Sequence, residues 1–283
     1  TSEEWNFTST LAAGAWASGN DINTGRHYQG SGGTQTAGII VGGNNAATES
    51  YDGSSWTEIA DPNTPRQKAS GAGTQTALVY VGGNPPTVAI AEKWDGSSWT
   101  EVGDLNTARY NMGEAGTSTA AIVAGGHTGT AGQATAETWN GTSWTEVGDL
   151  NLARFELMGA GTSTAAIVAG GRGEPTKAET ESWNGTSWTE VNDLNTGRQD
   201  IQGCGIQTAA LAFGGAPASK NETEDWDGVS WTEVANLGTA RYGSQGIGTG
   251  TLALLGGGRT GPNAALATTE EWTMPQNVKT ITD

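Results

Sequence analysis

The sequence predicts an all-β fold, a single six-bladed β-propeller with four antiparallel strands in each blade. Three observations lead there: a unit of about 43 residues that recurs six times, turn signals between short strand-length runs, and no stretch of helical periodicity.

The unit is marked first by arginine, at Arg26, Arg66, Arg109, Arg154, Arg198 and Arg241, spaced by 40, 43, 45, 44 and 43 residues. Sixteen residues after each stands a diglycine, from Gly42-Gly43 to Gly257-Gly258. A glutamate two residues before an aromatic follows, in the pairs Glu49/Tyr51, Glu92/Trp94, Glu137/Trp139, Glu181/Trp183, Glu224/Trp226 and Glu270/Trp272. A second tryptophan comes five residues later in the first five units, at Trp56, Trp99, Trp144, Trp188 and Trp231.

In the third unit Tyr110–Ala115 reads as strand one, Gly116 to Thr119 as a turn and Ala120–Ala124 as strand two. Ala136–Trp139 and Ser143–Val147 read as strands three and four. The Asp-Gly and Asn-Gly pairs between strands three and four, such as Asn140-Gly141, predict two-residue hairpins with both central residues at positive φ. Small residues on strands one and two permit close approach at a central axis. The tryptophans of strands three and four fill the widening wedge between blades.

The ends of the chain complete each other. Trp16 to Thr24 parallels Trp99 to Thr107, so the N-terminal segment supplies a fourth strand, and the last unit, ending after Trp272, lacks one. Residues 1–283 therefore form one domain: an arm at 1–14, six blades over 15–275 with the last closed by both termini, and a tail at 276–283. Such closure removes two exposed sheet edges. Ser2-Glu-Glu-Trp5 repeats the motif of Thr269-Glu-Glu-Trp272, so Trp5 either caps the ring from outside or is left over from a longer array.

The residues Asp104-Leu-Asn-Thr-Ala-Arg109, Gly125-Gly126 and Trp139 to Trp144, echoed over nearly the whole chain, resemble the kelch repeat. That resemblance implies a β-propeller and says little about function, because propellers host many activities. The sameness of the units and the scarcity of lysine also look like secreted or virion-associated propellers of bacteria and their phages. An extracellular or virion location is implied.

Thirteen basic against 30 acidic side chains give a net charge of −17, which argues against nucleic acid as a partner. The longest apolar runs are of strand length, so no membrane insertion is expected. Cys204 alone cannot form an internal disulfide, and the two histidines, His27 and His127, lie in different units, so no metal and no cofactor is expected. The copper-radical oxidase chemistry known among kelch propellers needs two imidazoles, two phenolates and a Tyr–Cys cross-link, and Cys204 is near neither histidine in repeat position. Glu114, Glu156 and Asp200 break the small, neutral pattern of strand one. They stand five, two and two residues after their arginines, however, and nothing marks a nucleophile. The chain reads as a non-enzyme.

Positions that repeat serve the fold. The arginines are expected to brace a turn with the aspartate five residues earlier (Asp21, Asp61, Asp104, Asp149, Asp193, with Asn236 in the last unit), and glutamates such as Glu137 and Glu146 to form a solvated rim. Positions that vary are the candidate site. The residue after each arginine is His27, Gln67, Tyr110, Phe155, Gln199 or Tyr242, and the next two vary as freely. The connection after each diglycine also varies, bringing in His127, Arg172 and Arg259. Strand one begins and strand two ends on one propeller face, so these sets are expected to converge. Aromatic faces and amides suit a sugar or a peptide. The expected function is recognition of a glycan or protein by a surface-displayed or phage-fibre-type module, through the face of the strand 2–3 and 4–1 loops. The alternative is a purely structural building block of a virion or extracellular assembly that contacts copies of itself or virion partners.

Overall fold

In each blade the chain passes through one left-handed residue before it can extend. In the computed structural model, which describes residues 14–262 and 264–274, the residue two after every repeated arginine has positive φ: Tyr28 59°, Lys68 60°, Asn111 56°, Glu156 60°, Asp200 49° and Gly243 60°. That conformation cannot continue an extended strand. Strand one of the third blade is accordingly Gly113–Thr117 and not a strand from Tyr110.

The described residues form six four-stranded antiparallel sheets and no helix, a six-bladed β-propeller. In blade three the strands are Gly113–Thr117, Ala120–Ala124, Ala136–Trp139 and Trp144–Val147, innermost to outermost. The last blade takes its outer strand, Ala15–Ser18, from the N-terminal segment and pairs it with Thr269–Thr273, with Trp16 opposite Trp272. Its sheet order confirms closure by both ends of the chain. The expected Trp5 cap and the 276–283 tail lie outside the described residues.

Packing follows the wedge. One apolar cluster fills each junction between blades, as where Val79 and Val81 of blade two meet Met112, Val123, Trp139 and Trp144 of blade three. The paired tryptophans face each other across strands three and four, with ring centroids 5.3 Å apart for Trp139 and Trp144. The indole N–H of the first donates to the turn between strands one and two, Trp139 Nε1 to Ser118 O at 3.1 Å and Trp183 Nε1 to Ser163 O at 3.1 Å. Blade one, with Tyr51 in place of the first tryptophan, sends the phenol to Glu271 Oε1 of blade six at 2.7 Å.

The strand 3–4 hairpins differ from the expected two-residue turns. Trp139 pairs with Trp144, which leaves four residues in the loop, and only the glycine is left-handed, Gly141 at φ 94°. Asn140 Oδ1 accepts the amides of Thr142 and Ser143, both at 2.9 Å, so the side chain organises the turn. Asp52 does the same in blade one, where the Ser54 hydroxyl and the Ser54 and Ser55 amides hold its carboxyl down at about 2.

The arginines take a different partner from the one expected. Each pairs with the glutamate of strand three in its own blade: Arg109–Glu137 at 3.0 Å, Arg154–Glu181 at 3.0 Å, Arg198–Glu224 at 2.7 Å and Arg241–Glu270 at 2.7 Å, with Arg26–Glu49 and Arg66–Glu92 alike. All are buried, so Glu137 is no rim residue, although Glu146 on the outer strand is exposed. The other carboxylate oxygen accepts from the 4–1 loop, as Glu181 Oε2 does from Asn151 N and Nδ2 at 2.8 Å each. In three units the aspartate instead caps strand three of the preceding blade, Asp61 Oδ1 accepting from Thr48 N at 2.7 Å, Asp104 Oδ1 from Ala91 N at 3.2 Å and Asp193 Oδ1 from Thr180 N at 3.1 Å. Asn236 replaces it because only an acceptor is required, taking Thr223 N at 3.1 Å.

The diglycine exists because the arginine backbone of the next blade lies against it. The second glycine donates to that arginine's carbonyl all round the ring, from Gly43 N to Arg66 O at 3.2 Å to Gly258 N to Arg26 O at 2.8 Å. A Cβ on the first glycine would sit 2.5 Å from Arg154 O at Gly125, where φ is 69°.

Arg154→Ala leaves Glu181 buried and uncompensated and is expected to cost about 3–5 kcal/mol in urea unfolding. Trp144→Ala, which empties a large ring from a blade junction, is expected to cost a similar ~3–5 kcal/mol.

Candidate functional site

The left-handed residues form a ring about the axis. Tyr28 N donates to Gly243 O at 2.7 Å, Lys68 N to Tyr28 O at 2.7 Å, Asn111 N to Lys68 O at 2.9 Å and Glu156 N to Asn111 O at 2.9 Å. These four bonds link Gly243, Tyr28, Lys68, Asn111 and Glu156 in a chain, and Tyr28, Lys68, Asn111, Glu156 and Asp200 together line the channel mouth.

Outside this ring the expected residues come together in pairs. Gln67 bridges Asn84, Tyr110 bridges His127, Phe155 bridges Arg172, Gln199 bridges Ala216 and Tyr242 bridges Arg259. His27 and Asn44 complete the circle, Asn44 N donating to His27 O at 3.1 Å. Two lobes open above the ring. One of about 500 Å³ is lined by Tyr110, His127, Phe155 and Arg172, and one of about 580 Å³ by Arg172, Gln199, Tyr242 and Arg259. They share Lys68, Glu156 and Arg172 and make one divided funnel. His27 and Gln67 line neither lobe.

The first lobe has an aromatic wall. His127 stands edge-on to Phe155 at 4.6 Å and beside Tyr110 at 5.4 Å. Its Nδ1 accepts from Gly129 N at 2.9 Å and lies 3.1 Å from the Tyr110 hydroxyl. Burial, followed by the charges of Arg172 and Lys68, holds this imidazole below its ordinary pKa, so the wall is neutral at pH 7.

The floor carries charge. Glu156 Oε1 accepts from Asn111 Nδ2 at 3.4 Å and lies 3.9 Å from Arg172 Nη1, while its buried Oε2 has no partner. Asp200 Oδ2 accepts from the Tyr28 hydroxyl at 3.2 Å, and that hydroxyl accepts from Arg259 Nη2. Burial and the neighbouring Asp200 charge push Glu156 up to about 7. Burial also raises Asp200, against the pull of Tyr28, Lys68 and the arginines. The Asp200 charge thus disfavours ionisation of Glu156.

Below the ring lies a cavity of about 30 Å³, room for about two waters. Glu114 faces both this cavity and the glycine-lined mouth on the far side, and enclosure by protein pushes it up to about 8. Cys204 is a packing residue: it is buried, and burial pushes its thiol up to about 12. Among the described residues no cluster of three or more His, Cys, Asp or Glu side chains is placed to hold a metal ion.

Sequence reading placed the outer circle and missed the roles of Tyr28, Lys68 and Asn111. The signal available was variation at the second position after each arginine, the same signal that singled out the first position. A carboxyl whose pKa rises on folding binds a proton that the unfolded chain releases between about pH 4.5 and 7, so stability falls as pH climbs through that window. Glu156→Gln is expected to flatten this slope in urea titrations run from pH 4.5 to 8.

No protein-family model matches this sequence, and no curated protein matches it. Among solved structures that do match, that of YjhT superposes with a TM-score of 0.75 at 13% identity, covering 90% of this chain and 97% of that one. At that identity the likeness is one of fold alone.

Proposed function

We propose that the chain is a kelch-type recognition module that binds a glycan or protein ligand in the funnel and performs no chemistry on it. One observation carries this reading. The repeated arginines and their strand-three glutamates are consumed by the scaffold, whereas Tyr110, His127, Phe155 and Tyr242 present rings to open lobes of about 500 and 580 Å³ bordered by charged and amide groups. Ring faces take the C–H surface of a sugar or an aliphatic side chain, and convergent polar groups fix its orientation. Display outside the cell or on a virion is part of the proposal, supported by the near-identity of the units and the scarcity of lysine.

Tyr110→Ala, Phe155→Ala and Tyr242→Ala test it in a screen of glycans and cell-envelope polysaccharides against the full chain. The expected result is a saturable ligand whose affinity falls at least about tenfold in each variant, the loss of one good aromatic contact, with the unfolding midpoint retained. Undiminished affinity overturns the funnel as the site. Glu156 and Asp200 match in number the two carboxyls of glycoside hydrolysis, so the bound oligosaccharide is also checked for cleavage, which a recognition module leaves undone.

A second reading, the structural building block, draws on Ile206, Val229 and Leu252, the exposed large apolar side chains, which lie at or beside the hairpin ends of blades five and six away from the funnel. Self-association in sedimentation, together with a blank ligand screen, favours that reading.

A further inference from the structure

The chain has eight arginines, of which six are buried in the scaffold ion pairs. The remaining two, Arg172 and Arg259, each follow a diglycine and both line the funnel, where Lys68 joins them. In a molecule of net charge −17, every arginine the scaffold does not use faces one concave site.

Rings lie against all three cations, and only Arg172 also has a carboxylate in reach, Glu156 Oε1 at 3.9 Å. Lys68 Nζ lies 4.8 Å from the Tyr28 ring and 5.3 Å from that of Tyr110. The Arg259 guanidinium lies 4.7 Å from both Tyr28 and Tyr242, and that of Arg172 lies 5.5 Å from Phe155. Among the described residues no carboxylate comes within 4.0 Å of Lys68 or Arg259, and the buried Nε of Arg259 has no hydrogen-bond partner. Stacking on rings fixes a guanidinium while leaving its N–H edge free for an oxyanion.

We propose that the funnel binds an oxyanion carried on a sugar, the carboxylate of a uronic acid or the phosphate of a sugar phosphate, through Arg172, Arg259 and Lys68, and that the Glu156–Asp200 pair sets the pH range of that binding. The proposal rests on the recognition reading above. The groups facing the pair are Tyr28, Lys68, Arg172 and Arg259 around the ring and Glu114 below it. While Glu156 is protonated, the three cations meet less negative charge. Once it ionises, at about pH 7, and Glu114 below it at about 8, that charge grows and the attraction for an anion drops. His27 and His127, both lowered by burial and by the same cations, stay neutral through this range and add no charge.

Calorimetry on the full chain at low salt with glucuronate, glucose 6-phosphate and glucose tests this. One or both acids should bind at least about tenfold more tightly than glucose, and the arms show whether carboxylate or phosphate is preferred. Arg172→Gln combined with Arg259→Gln should abolish the preference, and Arg259→Lys should restore part of it. Glucuronate affinity should fall roughly 3- to 10-fold between pH 6 and 8.5, and Glu156→Gln with Asp200→Asn should weaken that dependence, leaving the part due to Glu114. Equal binding of glucose and both acids, absence of binding by either acid, or a pH dependence unchanged in the double variant overturns the proposal. If neutral oligosaccharides bind and lose affinity in Tyr110→Ala while the acids gain nothing, the anion site falls and the recognition module stands. If no sugar binds, the glycan reading falls with it.

Discussion

One arginine per blade carries two attachments at once. Its guanidinium reaches the strand-three glutamate of its own blade and, in Arg154, Arg198 and Arg241, the carbonyl of the first diglycine residue at 2.9–3.0 Å. Its backbone carbonyl receives the second glycine of the blade before. Side chain and main chain of a single residue therefore tie a blade to itself and to its neighbour, six times round a closed ring. A buried ion pair contributes little net stability over an apolar replacement, because desolvation offsets the attraction. What it supplies here is position: the 4–1 loop is held to strand three through Glu and Asn, and the loop cannot slide without stranding a buried charge.

That fixation is what frees the next two residues to vary. The residue after the arginine meets the chain that follows the diglycine, and the second is left-handed and, in all blades but the fifth, bonded to a counterpart in an adjacent blade. Neither needs a particular side chain to hold its place. Tyr28, Lys68, Asn111, Glu156, Asp200 and Gly243 occupy equivalent positions with nearly the same φ, where glycine is at ease, Asn and Asp are tolerated, and Tyr, Lys and Glu are strained. The strain at Tyr28, Lys68 and Glu156 and the desolvation of two carboxyls are costs that the scaffold does not require, which is how functional positions commonly differ from structural ones.

The blades, their order and the closure by both ends were legible because period, diglycine and tryptophan spacing report packing that is the same in each unit. The circle of Tyr110, Phe155, Tyr242, His127, Arg172 and Arg259 was legible for a related reason, since the start of strand one and the end of strand two must share a face. The inner ring was hidden because Tyr, Lys, Glu and Asp carry no left-handed signal, so the segment after the arginine reads as plain strand. The arginine's partner was misassigned because the aspartate stands at a constant five residues before it, whereas the glutamate follows at 23 to 29 residues across a loop of variable length, and the regular spacing drew the pairing. Asn236 was the internal clue, since an amide in its place rules out an obligatory charge. The upward pKa shifts of Glu156 and Asp200 depend on burial in a channel built from several blades, and no local pattern encodes them.

The separation of scaffold from variable ring is tested most directly by replacing Tyr28, Lys68, Asn111, Glu156 and Asp200 together with glycine, the residue Gly243 already supplies in blade six, and measuring thermal unfolding. The account predicts a folded propeller whose midpoint stays at or above that of the parent, because glycine relieves the left-handed strain and the buried carboxyls are gone. A midpoint lowered by more than a few degrees, or loss of the folded state, would show that the ring side chains hold the propeller together and would contradict it.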